Sequence, residues 1–165
     1  SKIQKKNSCV VTIDSLGDDF NQCLWLNKKN KLINIIRNNE CDLARIYKMI
    51  TLILKMKPDE HEFKVMGLLA YSKKKYILDV YENVFKGILK FKGLKIVHKN
   101  RPKDLYEFLL KKTKPYRFDN ISGAVQFYLE KTISELLKRI NKKYNKRTWI
   151  WFKNVWSNIR DVYSP

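Results

Sequence analysis

The densest run of acid–base side chains in this chain is Pro58-Asp59-Glu60-His61-Glu62. A histidine between carboxylates titrates near neutral pH and can act as a general base. The zinc-binding pattern HExxH is not completed, because Val65 stands where the second histidine belongs. Proline followed by acids is also what the first turn of a helix favours, so the run reads as a helix start rather than a catalytic centre. Cys9, Cys23 and Cys41 form no CxxC pair and lie far in sequence from His61 and His98. That spacing gives no zinc site or disulfide framework, and the thiols read as reduced, small apolar side chains of a reducing, intracellular compartment. The glycines are scattered singly, with no GxGxxG, P-loop or GxSxG to cradle a phosphate or hold a nucleophile. On these grounds the expectation is a protein without catalytic residues, metal or cofactor: not an enzyme.

Charge is the strongest compositional signal. Thirty-five Lys and Arg against sixteen Asp and Glu leave a net charge of +19 on 165 residues. The excess gathers between Lys86 and Arg117, where only Asp104 and Glu107 are acidic, and between Lys138 and Lys153, where no acid occurs. Self-repulsion of this size opposes compaction, and a polyanionic partner relieves it. The expected function is therefore a binding module docking on a polyanion, with nucleic acid (RNA or DNA) favoured through phosphate contacts. The candidate contacts are Lys111, Lys112, Lys114 and Arg117, then Lys138, Lys142, Lys143, Lys146 and Arg147. The alternatives are an adapter for an acidic protein segment, with Trp151 as its aromatic anchor, and a structural subunit of a large ribonucleoprotein or membrane complex. The longest apolar run, Met49 to Leu54, is far short of the ~20 residues a membrane helix needs.

Helical spacing dominates the elements that would position these residues. Ser15 with Asp18 and Asp19 resembles a capped helix start, and apolar residues at Phe20, Leu24, Trp25, Leu32 and Ile36 extend it. Asp42 caps a second helix that Pro58 stops. A third carries Phe63, Met66, Leu69 and Ala70 inward, and a fourth runs from Tyr76 to Leu89, stopped by Gly93. Leu94 to Val97 is at most a short extended piece. Further helices follow at Leu105–Leu109, at Val125–Ile140, and from Thr148 through Phe152, Val155, Trp156, Ile159 and Tyr163. The predicted fold is all-α: one compact bundle of six to seven helices over 15–165, preceded by a basic, flexible segment over 1–14.

Ile13-Asp14-Ser15-Leu16-Gly17-Asp18, a helix bearing Trp25, and a terminal helix bearing Trp149, Trp151 and Trp156 together resemble PHIST domains, the helical modules of proteins exported by malaria parasites. The resemblance implies an adapter that binds acidic cytoplasmic segments of surface proteins inside the host cell.

Overall fold

The computed structural model describes residues 8–15, 19–29, 31–146 and 148–152. These described residues form five α-helices and six β-strands, so the expected all-α bundle is replaced by an α/β fold. The strands β1 (Cys9–Ile13), β2 (Gln22–Lys28), β3 (Lys31–Asn38) and β6 (Thr148–Phe152) form one sheet in the order β3-β2-β1-β6. β2 is antiparallel to both β1 and β3, while β6 lies parallel to β1. The β-branched run Val10-Val11-Thr12-Ile13 suits a pleated strand. Its alternate residues Cys9, Val11 and Ile13 are fully buried. β1 thus builds the sheet from a stretch that the sequence places ahead of the domain.

The helix expected from Ser15 to Ile36 is in fact a hairpin. Leu24 and Ile36 pair across β2 and β3, both facing the core. Between the strands, Lys29 turns the chain with φ of 51°. A spacing of four residues satisfies both the helical and the strand period, and here the strand wins because it can pair. The helix expected from Thr148 is likewise a strand as far as Phe152, and its continuation through Trp156 lies outside the described residues. Trp25 and Trp149, which carried the PHIST resemblance as helical residues, both sit in strands.

Helices cover the inner face of the sheet. α1 (Leu43–Ile53) buries Leu43, Ile46, Tyr47 and Ile50, one face of a 3.6-residue repeat. α2 (Glu62–Leu68) continues into a 3-10 turn, and of its apolar residues Val65 is buried while Phe63 is exposed. α3 (Lys74–Val80) runs on through a wider π turn at Tyr81–Phe85. The expected stripe stops there. Gly87 at φ 85° releases the chain into β4 (Leu89–Lys92), which pairs with β5 (Lys95–His98) around Gly93 at φ 64°. α4 (Leu105–Thr113) and the 27-residue α5 (Phe118–Tyr144) complete the layer, and α5 ends where Asn145 adopts the left-handed conformation. One core joins all of these, from Val11 and Leu24 of the sheet to Tyr47, Phe85, Leu109, Leu129 and Leu136. Each such side chain contributes roughly 1.5–3 kcal/mol on leaving water. No described helix is long and apolar enough to cross a membrane.

Candidate functional site

In open α/β sheets, ligands meet the loops beyond the carboxyl ends of the parallel strands. Here that end lies past Ile13 of β1 and Phe152 of β6, which are paired in register. Because β2 starts and β3 finishes at the same level, Ile13, Gln22 and Asn38 stand in one row. Residues 14, 15, 19–21 and 39–42 therefore converge there. Backbone bonds from Asp14 N to Asn21 O and from Asn21 N to Asn38 O, each 2.9 Å, extend the ladder into the loop.

Asp42 is the centre of this end. It precedes α1, and its carboxylate is buried to about 1% exposure. Asn21 Nδ2 donates to its Oδ1 at 3.4 Å, and Arg45 Nη1 lies 3.2 Å from the same oxygen. His98 Nε2 at 2.8 Å and Arg101 Nη2 at 3.3 Å share Oδ2. An ionised carboxylate offers about four acceptor positions, and four donors from three parts of the chain converge on these two oxygens. An ionised Asp42 can only accept, so in this contact His98 donates from Nε2. Its Nδ1 is buried with no hydrogen-bond partner among the described residues. Arg101 keeps over half of its side chain in solvent.

Two buried amides hold His98 in this place. Gln22 Nε2 donates to Leu94 O at 2.9 Å, while its Oε1 accepts from Ile96 N at 3.0 Å. The side chain thus pairs with β5 as a neighbouring strand would. Asn38 Nδ2 donates to Ile96 O at 2.7 Å and to Gln22 Oε1 at 2.8 Å. Next to Asp42, burial and the neighbouring carboxylate push the Cys41 thiol up to about 12. A neutral thiol is a poor nucleophile at pH 7, so what this cluster offers is the partly exposed Arg101 guanidinium as an anion contact rather than thiolate attack.

The residues singled out for polyanion contact fall into two separate groups. Lys111 and Lys112 occupy the last turn of α4, Lys114 follows it, and Arg117 caps α5. Lys138, Lys142 and Lys143 sit toward the far end of α5. Twenty helical residues separate Phe118 from Lys138, a span of about 30 Å. Lys111 pairs with Glu107, and Arg117 with the buried Asp119. Lys111 and Lys114 do share an open groove of about 560 Å³ with Ile53, Leu110 and Phe118. Lys146 follows α5, Arg147 is outside the described residues, and of Trp151 only the strand position is described. The Asp59–Glu62 run serves as a helix start, with Glu62 Oε1 accepting from Asp59 N at 2.8 Å. Among the described residues no group of three or more potential metal ligands occurs.

In the sequence Asp42 reads only as a cap and His98 only as distant from the cysteines. The available signal was an aspartate set between Cys41 and Leu43, with a histidine closing the apolar Ile96-Val97. Their separation of 56 positions hides the pairing.

An α/β domain with a polar cluster at its strand ends fits an enzyme scaffold, and sequence comparison gives the class: the chain belongs to the carbamoyltransferase N-terminus family, whose profile matches residues 1–156. More particularly, an uncharacterized protein of Methanocaldococcus jannaschii is 26% identical over 160 residues, covering 94% of this chain and 31% of its own length. The chain thus spans about a third of that relative. Family membership overturns the expectation of a non-enzymatic module docking on nucleic acid, and with it the adapter and structural-subunit alternatives.

Proposed function

We propose that this chain is the N-terminal part of a carbamoyltransferase and contributes the Asp42 cluster to its reaction site. The family match over nearly the whole chain carries the reading. Carbamoyl transfer joins a nucleophile to the carbonyl carbon of an activated carbamoyl donor, breaks the bond to the leaving group and moves a proton off the nucleophile. The partly exposed guanidinium of Arg101 suits the charge that develops on the leaving group. Asp42 acts as a positioning residue, fixing both Arg101 and the ring of His98.

The test is transfer of an isotope-labelled carbamoyl group by the full-length natural polypeptide, scanned over hydroxyl and amine acceptors. Transfer that falls on Arg101→Ala and partly returns with Arg101→Lys supports the reading. A folded protein that transfers no label from any activated donor, or an Arg101→Ala variant as active as the parent, refutes it.

A further inference from the structure

The face of the sheet turned away from the helices is built to be covered. Buried Cys9, Val11 and Ile13 alternate with Val10 and Thr12, and buried Gln22 and Leu24 with Cys23 and Trp25. On β6, Ile150 packs against the core, which turns Trp149 the other way. The outward set is therefore Val10, Thr12, Cys23, Trp25 and Trp149. None of these five is charged, in a chain where 31% of residues are, and the charge on this face comes at its β3 border, where Arg37 pairs with Cys23. The pairing register lines up Trp25, Val10 and Trp149 across three strands, and Cys23 with Thr12 in the next row. Trp149 is 39% exposed, and none of the five belongs to the core cluster. A sheet with one face in water alternates apolar and polar residues, whereas apolar residues on both faces mark strands with a layer on each side.

We propose that this face seats an amphipathic helical layer supplied by the rest of the full-length polypeptide. The proposal rests on family membership, not on carbamoyl transfer. In the M. jannaschii relative more than two thirds of the length lies outside the matched stretch, enough to furnish such a layer. A segment of the same polypeptide docks at high effective concentration. A second copy of this chain is the poorer occupant. The net charge of +19 opposes self-association, and Lys28, Lys29, Lys31 and Arg37 guard the turn and free edge at β3 in the manner that blocks edge-to-edge pairing. Those same cations flank the exposed Leu32, Ile33 and Ile35, so the covering helix carries acidic residues at its border.

Cys23 reports on this face directly, because Cys9 and Cys41 are buried on the other side of the chain's packing and serve as internal references. The experiment labels the native full-length polypeptide with a small maleimide and maps each thiol by mass spectrometry. A zero-length amine–carboxylate cross-linker is applied in parallel to a mixture of isotopically light and heavy protein. The expected result is Cys23 as protected as Cys41, with Lys28 or Lys31 joined to an acidic residue beyond position 165 of the same molecule. Cys23 reacting at the rate of urea-unfolded protein overturns the proposal. So does protection accompanied by links between light and heavy copies, or by no link to a segment beyond position 165. Absence of carbamoyl transfer leaves this labelling pattern unaffected, so the two readings fail separately.

Discussion

Replacing Asp42 by alanine isolates what its carboxylate does. Four donors lose their acceptor, but they do not suffer equally. The side chains of Arg45 and Arg101 are 30% and 56% exposed and can turn to water, so their loss costs at most about 1 kcal/mol each. The His98 side chain is only 5% exposed and Asn21 is buried, so each leaves a stranded donor costing about 1–3 kcal/mol. The expected destabilisation is about 4 kcal/mol, or a melting temperature lower by about 8–16 °C for a domain of this size. Arg101→Ala should cost under about 1 kcal/mol, since Asp42 keeps three donors and the lost partner was solvated. Denaturation followed by circular dichroism gives both values. Nitrogen NMR of His98 adds a readout that general loosening would not produce, because removing Asp42 takes away the acceptor of the Nε2 hydrogen bond. The reasoning is refuted if Asp42→Ala lies within about 1 kcal/mol of the parent, or if Arg101→Ala is as damaging.

Further outcomes follow from single contacts. A Cβ on Gly123 would sit 2.7 and 2.8 Å from Cγ1 and Cδ1 of Ile77, so Gly123→Ala should cost about 1–3 kcal/mol despite the better helix propensity of alanine, and Ile77→Ala should rescue it in a denaturation series. Tyr47 Oη donates to Gln126 Oε1 at 3.1 Å within the core, so Tyr47→Phe should lose about 0.5–1.5 kcal/mol, read from the urea midpoint. Burial raises the Asp119 carboxyl, but the Arg117 guanidinium and the Asn120 backbone N–H outweigh it and hold it below the ordinary carboxylate range. Its stabilisation is complete above the unfolded value near 3.9 and fades as pH falls through the lower folded one, so Asp119→Asn should be less stable than the parent at pH 7 and approach it below about pH 4. A difference constant across that range would contradict this assignment.

How much of this was legible in the sequence depends on how local the cause was. Asp42 before Leu43, Ile46, Tyr47 and Ile50 announces α1, and the long stripe from Val125 to Ile140 announces α5, because helix packing writes its period into neighbouring residues. The strands were invisible for the opposite reason. β1 and β6 pair across more than 130 positions, and apolar residues on both faces of β2 erase the two-residue alternation that would have marked it. Asn27-Lys28-Lys29-Asn30 was the available turn signal between β2 and β3. It was outweighed by the coincidence of Leu24, Leu32 and Ile36 with a helical spacing.

The candidate site fails to show in the sequence because linear density of charge and spatial convergence are different quantities. The two lysine clusters belong to different helices, Lys111 to Lys114 at the end of α4 and Lys138 to Lys143 toward the end of α5. Residues scattered at 21, 42, 45, 98 and 101 meet on one carboxylate. Helix ends attract lysine for the dipole alone, so a basic cluster there has a structural cause sufficient in itself. A fully buried aspartate has no such cause. Its desolvation is tolerable only where several donors converge, so burial of a charge, rather than its abundance, marks the place where this chain has concentrated its polar contacts.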